Sequence, residues 1–96
     1  VKTERDWWAK TGNIALEYEC NGKPSGITAT KSDYWIHILA KGKKNHCMLV
    51  FEVSRLKKIV KEYKDTHTRM VGDGGRSKCV ILPIKKLFDK ETVCLD

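Results

Sequence analysis

Ninety-six residues, 41% of them hydrophobic, supply one packed core without room for a second, and exclude a disordered chain. Nineteen Lys and Arg against twelve Asp and Glu leave a net charge of +7, which points to a polyanionic partner, nucleic acid first, and otherwise keeps the domain soluble. No apolar run approaches the roughly 18 residues of a membrane span, so no membrane partner is expected.

Taken in order, Val1-Lys2-Thr3 reads as the tail of a strand. Glu4 to Lys10 is mixed, either a short helical turn or a loop carrying Trp7 and Trp8. Exposing both indoles is costly, so one is expected to pack inward and leave the other for a partner or a nucleobase. Ile14 to Cys20 then alternates: Ile14, Leu16, Tyr18 and Cys20 on one face, Ala15, Glu17 and Glu19 on the other. Strand rise separates the two carboxylates by roughly 6.5–7 Å. Like charges on one face are costly unless a cation or metal balances them. The plainer reading is the solvated side of a half-exposed strand. Lys23, Ser25, Thr28, Thr30 and Lys31 follow in a loop opened by the Asn21-Gly22 turn signal. Acidic strand, cationic loop and hydroxyls together suit a phosphodiester site.

Thr30 to Asp33 offers an N-cap or a tight polar turn. Tyr34 to Lys41 is nearly continuous in apolar residues and reads as a central strand. Gly42 to Asn45 makes a hairpin connection to a strand over Cys47 to Val53, antiparallel to the last. Ser54 is the expected cap of a helix from Arg55 to about Lys64, with Leu56, Ile59, Val60 and Tyr63 as its buried stripe. Arg55, Lys57, Lys58, Lys61 and Lys64 cover the outside, either as a solvated face or as phosphate contacts. Thr66 to Val71 reads as a short strand and Gly72 to Ser77 as a hairpin turn. Lys78 to Ile84 is another strand, with Pro83 at its end or at an edge, and Lys85 to Asp89 is a short helical turn. The expected fold is α+β: a mixed sheet of about five strands with one main amphipathic helix.

The four cysteines, Cys20, Cys47, Cys79 and Cys94, contain no CxxC pair, and at least three sit inside apolar strand-like runs. The even count would permit two disulfides, but they read as buried free thiols of a reducing, intracellular compartment. Cys47 beside His46, with His67 and Cys79 scattered, lacks the paired spacing of a zinc site.

Four pieces, Thr11-Gly-Asn-Ile14, Glu17-Tyr-Glu19, Gly22-Lys-Pro-Ser-Gly-Ile27 and Thr30-Lys-Ser-Asp-Tyr-Trp35, resemble small phage and bacterial proteins of the PD-(D/E)XK nuclease superfamily. These are similar to Holliday-junction resolvases and related homing-type endonucleases; Arg69 to Asp73 and Val80 to Ile84 also fit them. The resemblance implies a restriction-endonuclease-like core and a metal-dependent DNA endonuclease. It implies Mg²⁺ or Mn²⁺ held by acidic residues, and a lysine beside the attacking water. Val1-Lys2 looks like the end of the family's E-x-K motif, so Lys2 takes the role of catalytic lysine. Glu17 and Glu19 take catalytic and metal-binding roles, and Lys23, Ser25, Thr28, Thr30 and Lys31 hold the DNA backbone.

The acidic partner of Lys2 is then expected two places earlier, before Val1. Residues 1–96 accordingly read as one nuclease-like domain, the C-terminal part of a larger fold or one half of a split nuclease. A second chain would supply the absent acids, and a homodimer is expected on resemblance. The expected location is the cytoplasm, or the host cytoplasm if phage-encoded. A nucleic-acid-binding module without catalysis fits the charge, the tryptophans and the incomplete motif equally well.

Overall fold

Two apolar surfaces, one from a helix and one from strands, meet in the core. The helix contributes Val53, Leu56, Ile59 and Val60; the strands contribute Ile14, Leu16, Leu39, Val80 and Leu82. Each helical residue falls on one stripe at 3.6-residue spacing, and each strand set alternates. The computed structural model describes residues 1–88.

The elements run β1 (Lys2–Arg5), α1 (Trp7–Thr11), β2 (Asn13–Cys20), β3 (Lys23–Pro24), β4 (Tyr34–Lys41), β5 (Lys44–Glu52), α2 (Val53–His67), β6 (Thr68–Val71) and β7 (Ser77–Pro83). Short 3₁₀ turns occupy Gly26–Thr28, Asp73–Gly75 and Ile84–Phe88. The expected helical turn over Lys85 to Asp89 is met as far as Phe88; Asp89 and Cys94 lie outside the described residues.

The class is mixed α+β with one main helix, as expected. Where the periodicity predicts one sheet of about five strands, there are two, ordered β1-β4-β5 and β3-β2-β7-β6. β1 runs parallel to β4, and all other pairs are antiparallel. A side chain joins the two sheets: the backbone N–H of Ala15 on β2 donates to Glu4 Oε1 on β1 at 2.5 Å.

Helix α2 starts at Val53 and runs to His67, longer at both ends than expected. Ser54 lies inside the first turn, and Glu52 is the N-cap without a side-chain cap bond. The reason is local. Val53 N–H donates to the Asp33 carbonyl at 2.9 Å, so a loop satisfies the first free donor while the Val53 side chain is buried.

The strict alternation read for Ile14 to Cys20 breaks at a bulge between Glu17 and Glu19. Glu17 lies opposite Cys79 and Glu19 opposite Lys78. Cys79 and Lys78 are consecutive on β7 and project to opposite faces, so the two glutamates do as well. Glu19 falls on the helix-bearing face with Leu16 and Tyr18, and Cys20, opposite Ser77, turns to the other face with Glu17.

On the β4–β5 hairpin, Trp35, His37, Leu39, Leu49 and Phe51 face inward. Tyr34, Ile36, Ile38, Met48 and Val50 form the outward face. Of the paired tryptophans, Trp8 packs against the core and its indole N–H donates to the Ala40 carbonyl at 2.8 Å, while Trp7 is 56% exposed. Pro83 ends β7, where its missing donor interrupts no further pairing.

Candidate functional site

The site is built where β1 meets β2. Lys2 and Glu4, two apart on one strand, share a face and pair with His37 and Leu39 of β4. His37 is fully buried, and its Nε2 lies 2.7 Å from Glu4 Oε1. The Trp35 indole N–H reaches His37 Nδ1 at 3.1 Å. An indole nitrogen only donates, so Nδ1 is the acceptor and the proton sits on Nε2, which donates to the Glu4 carboxylate. Glu4 thus accepts from both His37 and Ala15, and fixes β1 against both sheets.

Lys2 and Glu17 come from β1 and β2, and both lie close enough to Cys79 to act on its thiol. Burial pushes that thiol up to about 11; the Glu17 carboxylate adds to the rise, the Lys2 ammonium opposes it, and Glu4 adds a smaller push upward. Arg69 pairs with Cys79 from the other side, so Glu17, Cys79 and Arg69 line up across one face of three strands. On that face Asn13, His67, Arg69, Ile81 and Pro83, with Thr66 and Thr68, line a cleft of about 220 Å³. The recess itself offers the Arg69 guanidinium, the His67 imidazole, the Asn13 amide and the hydroxyls of Thr66 and Thr68; Lys2 and Glu17 are not part of its lining.

Glu19 does not join this group. Its carboxylate meets Lys78 Nζ at 3.1 Å on the other face, and that hydrogen bond, reinforced by the carboxylate's charge, raises the Lys78 ammonium above its ordinary range. Of the loop residues, Lys23 and Lys31 are exposed. Thr28 uses its hydroxyl internally: it accepts Ser25 N–H at 3.2 Å and donates to the Tyr18 carbonyl. Thr30 accepts Ser32 N–H at 3.3 Å, and its carbonyl takes Lys57 Nζ at 3.4 Å. Ser25 Oγ is buried and, among the described residues, has no hydrogen-bond partner. The loop is held tightly to β2: a Cβ at Gly26, whose φ is +52°, would stand 2.2 Å from the Glu17 carbonyl oxygen.

Sequence reasoning therefore missed two contributors. Glu4 was read only as part of a mixed segment, and His37 as one residue of an apolar strand. Arg69 entered by resemblance alone. The signal for Glu4 was its place two residues after Lys2, on the same side of a strand.

A metal would need several carboxylate or imidazole ligands at once. Among the described residues no group of three or more His, Cys, Asp and Glu is arranged to hold one. Glu17 offers one carboxylate, Glu4 is committed to His37 and Ala15, and Glu19 to Lys78. These residues do not form a complete metal site.

No helix among the described residues is long and apolar enough to cross a membrane. No family model, curated protein or solved structure matches this chain.

Proposed function

We propose that this chain binds DNA and carries part of a metal-dependent endonuclease site, with Lys2 and Glu17 as its reacting groups. The observation that supports the reading is that Lys2, from β1, and Glu17, from β2, both act electrostatically on the Cys79 thiol, whose cross-strand neighbour Arg69 lines the cleft. An E-x-K nuclease needs its lysine and a carboxylate from separate strands near one phosphate, and the +7 charge favours a polyanion. Mg²⁺ or Mn²⁺, when bound, supplies charge neutralisation at the phosphate. Its ligands would be Glu17 and carboxylates contributed by another segment or a partner chain. Lys2 would orient water and substrate oxygen, and Arg69, Lys23 and Lys31 would hold phosphates. The resolvase-like or homing-type preference for DNA structure rests on resemblance alone.

The test is incubation with branched and linear DNA in Mg²⁺ or Mn²⁺, with Lys2→Ala and Glu17→Gln as controls. Cleavage lost in both variants is expected. Absence of cleavage in either metal, over a range of DNA structures and in the presence of the segment or partner chain that would supply the remaining carboxylates, would remove the nuclease reading.

A second reading is favoured by the pairing of Glu19 with Lys78, which takes one candidate ligand out of play. In it the domain binds nucleic acid without catalysis. Affinity that falls steeply with salt, with no metal uptake by calorimetry and no cleavage, identifies this case. Weak binding that is flat in a salt titration removes both.

A further inference from the structure

Three polar side chains from three elements meet in the cleft at the end of β7. Asn13 opens β2 and lies across from Pro83. Arg69 of β6 lies across from Cys79 on the opposite flank. His67 ends α2 and precedes Thr68, whose pairing with Val80 brings His67 level with Ile81. Ile81 and Pro83 thus form an apolar floor, with an amide on one side and an imidazole and a guanidinium on the other. The flanking strands β2 and β6 stand two strand spacings apart, roughly 9.5 Å. The Asn13 amide, His67 Nε2 and the Arg69 guanidinium have no hydrogen-bond or ion-pair partner among the described residues.

The two threonines that also line the cleft prepare it instead of holding a ligand. Thr68 donates its one hydroxyl hydrogen to the Lys64 carbonyl and accepts from the Tyr18 hydroxyl at 2.8 Å. Thr66 Oγ1 lies 3.5 Å from the Tyr63 carbonyl and 2.7 Å from His67 Nδ1. Carbonyls at the end of a helix repel an anion; here hydroxyls cover them. The Thr66 bond and the Tyr63 ring, edge-on at 5.0 Å, hold the imidazole with Nε2 left over. An imidazole Nε2 donates to a phosphate oxygen or accepts a phosphate proton, and Arg69 keeps its charge and its planar fork of donors. Among the described residues no carboxylate lines the cleft. Asp65 is exposed on the preceding turn of α2, and Glu17 stands two strands from Arg69, beyond Cys79.

We propose that this cleft binds a phosphate monoester, whether the terminal phosphate of a nucleic-acid strand or that of a free mononucleotide. The lining excludes a cation. Its volume of about 220 Å³ is below the roughly 300–1,000 Å³ of sites for drug-sized ligands. A group at the end of a molecule enters such a recess, whereas a backbone diester carries a nucleotide on either side and stays at the rim. A monoester also brings about −1.5 to −2 charge at neutral pH, against −1 for a diester. The apolar floor suits the sugar or base that the phosphate carries. The site deepens the nucleic-acid reading but rests on no metal and no cleavage, so a chain that binds the monoester without cutting DNA sinks the nuclease alone.

The test is titration of the nitrogen-15-labelled chain with thymidine 5′-monophosphate, read by side-chain and backbone shifts and by calorimetry. Saturable shifts are expected at the Asn13 side-chain amide, His67 Nε2 and Arg69 Nε. Thymidine and thymidine 3′,5′-cyclic phosphate, a diester of similar size, are expected to bind far more weakly. A single strand phosphorylated at its 5′ or 3′ end is compared with the same strand lacking the phosphate. A gain of about tenfold from the terminal phosphate assigns the cleft to strand ends; a mononucleotide that binds while the strands behave alike assigns it to free nucleotides. Arg69→Ala is expected to weaken monoester binding by about tenfold or more, the scale of a lost charge-assisted bond, and Arg69→Lys to recover only part of it. Arg69 is exposed on an edge strand, so the fold survives, and circular dichroism checks it. Lys44→Ala removes the same charge from the other sheet and is expected to change nothing. No saturable shift at the three side chains with either the mononucleotide or a phosphorylated strand overturns the proposal. So does cyclic diester binding equal to the monoester's, or wild-type binding by Arg69→Ala.

Discussion

His37 Nε2 and Glu4 Oε1 lie 2.7 Å apart, and through this contact a buried strand of one sheet holds the carboxylate that also caps the Ala15 amide of the other. Removing Glu4 leaves two buried or half-buried donors without a partner. Glu4→Ala is therefore expected to cost about 2–6 kcal/mol, from two unmet donors at about 1–3 kcal/mol each. Glu4→Gln keeps an oxygen that accepts both bonds and is expected to cost less. Urea denaturation of the two variants checks the order; equal losses would mean that packing, not hydrogen bonding, matters at this position.

The Trp35 indole assigns the His37 tautomer. Nitrogen chemical shifts of the neutral imidazole are expected to show protonated Nε2 and bare Nδ1. Trp35→Phe removes the donor at modest cost, about 1 kcal/mol for the lost hydrogen bond, with any packing change added. A spectrum with protonated Nδ1 in the wild type would contradict the hydrogen-bond pattern.

Two glycines of one loop should respond differently to alanine. Gly26 and Gly22 both have positive φ, +52° and +76°, but a Cβ at Gly26 meets the Glu17 backbone at 2.2 Å, and at Gly22 it meets nothing within 4 Å. Gly22→Ala is expected to cost about 1 kcal/mol, the conformational penalty alone. Gly26→Ala is expected to cost clearly more and to displace Glu17, so it should also depress DNA binding. Thermal melts alongside DNA titration separate the two effects.

The thiols should fall in a fixed order. Cys47 is exposed, Cys20 half-buried and Cys79 buried, so among these three described thiols alkylation at mildly alkaline pH is expected to reach Cys47 first and Cys79 last. Cys79 holds its proton up to about 11 when folded, against an ordinary 9.0. The folded state then binds more protons than the unfolded one between these values. Its contribution to stability is complete below about pH 9 and is lost as pH rises toward 11. Mass spectrometry of peptides after timed alkylation reads the order directly.

DNA affinity should separate the two carboxylates and the two faces. Lys2→Ala and Arg69→Ala are each expected to lower the slope of log affinity against log salt by about one. Glu19→Gln, whose carboxylate is tied to Lys78 at a partly exposed site, is expected to change stability by less than about 1 kcal/mol and leave that slope unchanged. A Glu19 variant that behaved like a Lys2 variant would place the binding surface on the helix-bearing face instead.

Much of the fold was legible from periodicity. The stripe Leu56, Ile59, Val60 and Tyr63 marks α2, alternation marks β2, and a nearly continuous apolar run marks β4. What escaped depended on partners distant in sequence. The α2 start needs Asp33 to satisfy Val53, so a Ser54 rule misplaced it. The bulge at Glu17 arises from pairing with β7, and no local pattern in Asn13 to Cys20 announces it. The candidate site was half visible. Lys2 and Glu17 were singled out, whereas Glu4 and His37 stand 33 positions apart and meet only through the parallel β1–β4 pairing. Thr28 carried the residue type of a DNA contact but spends its hydroxyl on the Tyr18 carbonyl.

Lys2 rides on one sheet and Glu17 on the other, and between them the joint at Ala15 is a carboxylate, not a ladder. Helix α2 packs against strands of both sheets. Small shifts of one sheet against the other would change the separation of Lys2 and Glu17 without unpairing a strand. A bound phosphate would then stiffen the whole molecule, and slower amide exchange at Ala15 would be its signature.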